Sequence, residues 1–167
     1  MNKLFLKTQF ILSYASIITA LIISLFGLGF MSEFYTLFMN GNDEMYTFFK
    51  DLQFLNTKVF ISGLTFLVLA FFLIPFDINK KIAGIFGVLL TLAITIINII
   101  NGYSIISISN MSSSIYKEMD FSILTDYTPS VMSFNFLSII WIIAIVTTLL
   151  LFILTTVNAI GSRKKGI

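Results

Sequence analysis

The sequence predicts an all-α integral membrane protein, with four transmembrane helices arranged as two hairpins. Of the 167 residues, 57% are hydrophobic and only 11% are charged, whereas a soluble domain has about 45 to 50% apolar and about 25% charged residues. Four uncharged intervals approach or exceed the roughly 20 residues that a helix needs to cross a bilayer. Apolar residues occupy every face of these intervals, without the alternation typical of a transmembrane β-strand.

The charged residues divide a single membrane domain, 1–167, into four predicted spans and the segments between them. The uncharged intervals place the spans at about 10–30, 59–76, 82–101 and 137–159. Two longer loops remain at about 31–58 and 102–136, with a short turn at 77–81. Thr128 followed by Pro129 is typical of a helix N-cap and first helical residue, so the fourth helix is expected to begin there, before its span.

Basic residues are concentrated on one side of this topology. Both tails and the 77–81 turn carry seven Lys and Arg residues, against three in the two longer loops. Cytoplasmic segments show such an excess, so we expect both termini and the turn in the cytoplasm. Tyr103 and Trp141 are then expected near the outer interface, as aromatic belt residues. The richness in Ile, Phe, Lys and Asn without Cys indicates a bacterial protein of the cell (plasma) membrane.

The first outer loop contains a predicted amphipathic helix that follows an Asn-Gly-Asn turn. Asp43 and Glu44 fall in its first turn, where the helix dipole favours acids. Its apolar face recurs at helical spacing and consists of Met45, Phe48, Phe49, Leu52 and Leu55. Either this helix lies on the outer membrane surface or caps the bundle, or its Phe-rich face docks another membrane protein or a lipid.

The sequence offers few residues for chemistry. It contains no His and no Cys, which removes the usual imidazole bases, thiolate nucleophiles and soft metal ligands. The predicted spans contain no Asp, Glu, Lys or Arg, the side chains that commonly mark transport or proton relay within a bilayer. We therefore predict no catalytic residue, no metal, no cofactor and no enzymatic activity. The basic residues flank apolar spans instead of forming one solvated patch, so nucleic acid is not an expected partner.

Small and weakly polar residues form stripes along the predicted spans. The third span carries Gly84, Gly87, Thr91, Thr95, Asn98 and either Asn101 or Gly102. The first span carries Ser16, Ala20 and Ser24, followed by Gly27. Such faces allow close helix approach, and one interpretation is an ordinary packing seam. The other is that the third-span stripe lines a polar path in an oligomer.

Together these patterns predict a non-enzymatic accessory or scaffold subunit of a larger membrane complex. It would contact the lipid bilayer and bind a membrane-protein partner or a second copy of the chain through its outer loops and helix faces. The alternative is a small oligomeric transporter or channel component that uses the third-span stripe. A protein that protects a cell from a membrane-active toxin is a third hypothesis, on which the residues carry no information.

Overall fold

The computed structural model describes residues 3–29, 39, 41–73, 84–122 and 128–163. The helices within these ranges are α1 (Lys3–Gly29), α2 (Asp43–Phe71), α3 (Ile85–Glu118) and α4 (Met132–Arg163). Each contains a stretch long and apolar enough to cross a membrane. The predicted all-helical class with four such helices is confirmed, while the predicted turn at 77–81 lies outside the described residues.

The second helix begins at a side-chain cap and continues without interruption into the second apolar stretch. Asn42 Oδ1 accepts a hydrogen bond of 3.0 Å from the Met45 backbone N–H, and Asp43 and Glu44 occupy the first turn, where acids are favoured. From there to Gly63 no Gly or Pro interrupts the helix. The predicted amphipathic segment is therefore the first part of α2, not a separate loop helix.

The third helix also extends well beyond its predicted span. It has 34 residues, which at about 1.5 Å per residue gives roughly 50 Å, compared with about 30 Å for the hydrocarbon core of a bilayer. It takes up residues 102–118, which the sequence pattern placed in a loop. We call residues 43–58 of α2 and 102–118 of α3 the helical extension.

The fourth helix begins later than its N-cap pattern predicts. Residues 128–131 are not helical, and α4 begins at Met132, so the predicted start at Thr128 is wrong. The Ser130 hydroxyl accepts a hydrogen bond of 3.3 Å from the Met132 N–H. A hydroxyl further along the chain thus serves the start of the helix in place of the Thr-Pro pair.

The four helices pack in a ring. α1 packs against α2 and α4, and α3 packs against α4 and α2. Within the described ranges, α1 does not approach α3, and α2 does not approach α4. All four helices contribute large apolar side chains to one core, among them Ile23, Phe66, Ile94, Ile105, Leu137 and Leu151.

Candidate functional site

The Phe-rich face of α2 is packed inside the chain. Phe48, Phe49 and Leu52 are all buried. The rings of Phe48 and Phe49 lie 6.1 Å and 6.4 Å from the ring of Tyr116 on α3, centroid to centroid. The predicted docking face is therefore covered by the chain's own third helix and is not open to a partner.

Tyr116 is the centre of an aromatic cluster in the helical extension. Its ring lies 4.9 Å from that of Phe121 and 5.7 Å from that of Phe134 at the start of α4. Together with Phe48 and Phe49, these rings form the aromatic cluster. Tilted and edge-on aromatic pairs contribute about 0.5 to 1.5 kcal/mol each beyond the area they bury. The cluster thus continues the hydrophobic core of the bundle into the helical extension.

The sequence pattern does not predict a role for Tyr116, because residues 102–118 are rich in serine and resemble a loop. A helical signal was nevertheless present, since the residues that α3 buries there recur at three- and four-residue spacing. They are Gly102, Ile105, Ser109, Ser113 and Tyr116. The Ser109 hydroxyl donates to the Phe134 carbonyl at 3.2 Å, which places the start of α4 beside the extension.

The third-span stripe faces α4 within the same chain. Thr91 Oγ1 donates to the Gly87 carbonyl at 2.9 Å. Thr95 Oγ1 lies 2.8 Å from the Thr91 carbonyl and 3.1 Å from the Thr148 carbonyl on α4. Hydroxyls without access to water satisfy their hydrogen-bonding capacity in this way. The positions of Gly87, Thr91 and Thr95 support the packing interpretation of the stripe.

The first-span stripe is buried, and its Ser24 lies at a close approach between α1 and α2. Ser16, Ala20 and Ser24 are buried, and the Ser16 and Ser24 hydroxyls donate to carbonyls of their own helix. A Cβ placed on Gly63 of α2 would lie 2.8 Å from the Ser24 backbone nitrogen. Gly63 therefore matters for α1–α2 packing, although the sequence analysis did not select it. The adjacent small residues Ser62 and Gly63 are the feature of the sequence that could have predicted this close contact.

Gly27 marks an even tighter contact in this seam. A Cβ placed there would lie 2.6 Å from the Phe60 backbone nitrogen and 2.7 Å from the Phe60 Cα. Since backbone atoms cannot rotate away as the end of a flexible side chain can, α1 and α2 pack this closely only with glycine at this position.

Asn98, the remaining member of the third-span stripe, differs from its neighbours. Its side chain is 0% exposed, yet neither Oδ1 nor Nδ2 has a hydrogen-bond partner in the described part of the chain. Trp141 Nε1 and Asn56 Oδ1 are likewise buried without a partner. Burying such groups unpaired costs on the order of 2 to 7 kcal/mol each in an apolar medium.

Trp141 does not face lipid as a belt residue. Its side chain is 0% exposed, so the expectation that the indole faces lipid is wrong. The ring packs against α3 at Gly102. A Cβ placed on Gly102 would be 3.5 Å from Trp141 Cε3. The indole is thus part of the α3–α4 seam.

Charged residues of the helical extension include one cation that contributes to the contact between helices. Lys58 Nζ on α2 donates a hydrogen bond to Ser104 Oγ on α3, and both side chains are half-buried.

After α3, the Ser122 backbone N–H donates to Asp120 Oδ1 at 2.9 Å, which lowers the pKa of the Asp120 carboxyl below its usual range. The described residues contain no group of His, Cys, Asp and Glu able to hold a metal ion.

The outer surface of the bundle carries many large apolar side chains. Large exposed side chains occur on every helix, for example Ile18, Ile61, Ile99 and Ile142. With four helices long and apolar enough to span a bilayer, the chain belongs to the class of all-helical, multi-pass membrane proteins. Comparison with known proteins finds no matching family, no matching curated sequence and no matching solved structure.

Proposed function

We propose that this chain is a non-enzymatic, four-span accessory or scaffold subunit of a larger assembly in a bacterial plasma membrane. Its helices form two hairpins, α1 with α2 and α3 with α4, which is supported by the packing within each pair. Both termini are cytoplasmic, since the tails and the 77–81 turn hold most of the basic residues. The helical extension then lies on the outer side.

The observation that carries this proposal is a set of exposed apolar side chains on and beside the helical extension. Phe54 on α2 and Met111 on α3 are both 68% exposed, and Met132 at the start of α4 is 78% exposed. Lipid covers such side chains within the hydrocarbon core, but α3 is too long to be covered from end to end. Apolar side chains that remain exposed outside the bilayer mark contact sites for partners.

The surface available to a partner is thus the outward side of the extension. Phe48 and Phe49 pack against Tyr116 of α3, and Leu52 is buried beside them in the sequence, so a partner would contact the opposite side of α2. In the spans, the outward apolar face of α1 contacts the lipid bilayer, and those of the other helices contact lipid or the transmembrane helices of the same partner. A second copy of the chain is one such partner.

Site-specific photo-crosslinking in cells tests this proposal. A photo-reactive amino acid at Phe54 or Met111 is expected to give one discrete protein adduct, whose mass separates a different subunit from a second copy of the chain. The matched control is Ile18, a lipid-facing position on α1, which is expected to give no such adduct. If no position yields a protein adduct and the chain is a lone monomer in mild detergent, the proposal is wrong.

The orientation is tested separately with cysteine labelling, which is clean because the chain contains no Cys. Asp43→Cys, at the start of α2, is expected to react with an impermeant reagent added outside the cell. Gly161→Cys, near the end of α4, is expected to react only after the membrane is opened. The reverse pattern would contradict the proposed topology without affecting the partner proposal.

The alternative function is a small oligomeric transporter or channel component that uses the third-span stripe. The unpaired Asn98 amide favours it, whereas the hydroxyls of Thr91 and Thr95 are bonded to carbonyls within the chain. Cysteine placed singly at these three positions distinguishes the two functions. Reaction of all three with a water-soluble thiol reagent supports a polar path, and uniform protection supports the packed seam.

A further inference from the structure

We propose that the α3–α4 seam contains a buried water-binding site built from the Asn98 amide and the Trp141 indole N–H. This inference concerns the interior of the bundle and does not depend on the proposed partner. It assigns a ligand class, a small neutral molecule that both donates and accepts hydrogen bonds, to polar atoms that are otherwise unpaired. Water is the occupant proposed.

Both groups belong to the same part of the seam. Asn98 follows Thr95, which approaches the Thr148 carbonyl of α4, and precedes Gly102 by one helical turn. The Trp141 indole lies against Gly102, with Cε3 at 3.5 Å from a Cβ placed there. Asn98 and Trp141 therefore occupy adjacent layers of one helix–helix contact, and both are completely buried.

The hydrogen-bonding inventory of this site matches a neutral ligand. The Asn98 amide offers two donor hydrogens and one acceptor oxygen, and the indole offers one donor hydrogen. None of the three atoms, Asn98 Oδ1, Asn98 Nδ2 and Trp141 Nε1, has a partner in the described chain. A water molecule can donate to the amide oxygen and accept from a nearby N–H group. Buried waters typically make about three hydrogen bonds to groups of this kind.

The same inventory disfavours a bound ion. Divalent cations require several oxygen ligands, and the neighbouring stripe offers hydroxyls already engaged with carbonyls. The seam residues Thr91, Thr95, Asn98 and Trp141 carry no charge to balance an anion. A neutral molecule pairs the amide and the indole without introducing a net charge into an apolar core.

The indole provides a direct test because Trp141 is the chain's only tryptophan. In NMR spectra of the wild-type protein in detergent micelles, the Trp141 Hε1 resonance is expected to show a cross-peak to a long-lived bound water. Its ultraviolet resonance Raman spectrum is expected to be that of a hydrogen-bonded indole. A non-bonded indole spectrum without a water cross-peak would overturn the proposal, and neither measurement requires a variant to fold.

Substitution at Asn98 then tests whether the two groups share the water. Asn98→Leu keeps the number of side-chain heavy atoms and the branch at Cγ but removes the amide, so the Trp141 emission is expected to shift to shorter wavelength and the melting temperature to fall. Thr91→Val, two turns away on the same stripe, is the matched control, with no expected emission shift. If Asn98→Leu leaves the Trp141 emission unchanged, the two groups do not share a water molecule and the proposed site does not exist.

Discussion

The side-chain amide of Asn158 donates a hydrogen bond of 2.7 Å to Gln9 Oε1 and thereby joins α4 to α1. The two residues are 149 positions apart in the chain, so this bond closes the ring of helices between its first and last members. Gln9 is buried and Asn158 is half-buried. Replacing Gln9 with Leu is expected to destabilise the bundle by about 0.6 to 1.7 kcal/mol, the range of interhelical hydrogen bonds measured in membranes.

A double-mutant cycle checks this value. Gln9→Leu, Asn158→Leu and the double variant are compared by reversible unfolding in detergent. The double variant is expected to cost less than the two single changes together, because each single change removes the same bond. Strictly additive effects would show that the bond contributes nothing to stability.

Gly27 lies in a tight helix–helix contact and Gly87 in an ordinary one, so alanine substitutions at the two positions are expected to change stability with opposite sign. Gly27→Ala forces a methyl group against Phe60 backbone atoms at 2.6 Å and is expected to cost about 1 to 3 kcal/mol. Gly87→Ala places its methyl group 3.5 Å from Thr155 Cγ2, an ordinary contact, and gains up to about 1 kcal/mol of helix propensity. Thermal unfolding in the same detergent measures both. Equal effects would contradict the close α1–α2 approach.

Two phenylalanines on α2 provide a matched pair for the aromatic cluster. Phe49→Ala, at a fully buried position, is expected to reduce the free energy of unfolding by about 3 to 5 kcal/mol. Phe54→Ala, at an exposed position five residues later, is expected to change it by less than about 0.5 kcal/mol. Chemical denaturation measures the free energy of unfolding of both variants, and crosslinking to the partner measures whether each variant still binds it. A stable Phe49→Ala protein would show that the cluster is not a core.

The turn after α3 is expected to weaken at low pH. The Ser122 backbone N–H donates to Asp120 and lowers the pKa of that carboxyl in the folded state. A carboxyl with a lowered folded pKa contributes stability above its unfolded pKa of about 3.9, and the contribution is lost as the pH falls through the folded value. The Ser122 amide proton shift is expected to titrate with a midpoint below that of a free Asp. The Asp120→Asn variant should not show this titration, and a midpoint at or above the free value would contradict the bond.

The sequence by itself determines the class of this protein. Hydrophobic content and the positions of charged residues are local properties of the sequence. Each uncharged interval can therefore be assessed separately for its ability to span a bilayer. Four long apolar helices were predictable for that reason. The stripe of Gly87, Thr91 and Thr95 was also recognisable, because small residues at helical spacing are a local pattern.

Helix lengths were less predictable, because they depend on contacts between distant segments. Residues 102–118 are rich in serine and resemble a loop, yet they are helical where Tyr116 packs against Phe48 and Phe49. Helix propensity alone does not distinguish the two outcomes, and packing of an amphipathic face decides between them. Because of the same contact, the Phe-rich face of α2 is part of the hydrophobic core and not a docking face.

Only the tertiary structure decided which neighbour each face would meet. Trp141 is compatible with a lipid-facing belt on the basis of residue type, but its ring packs against α3 at Gly102 and is completely buried. Asn98 is compatible with a seam or a pore, and its unpaired amide becomes apparent only once α4 covers it. A bilayer selects residues by polarity, which is encoded locally, whereas packing selects them by shape complementarity between segments that are far apart in the chain.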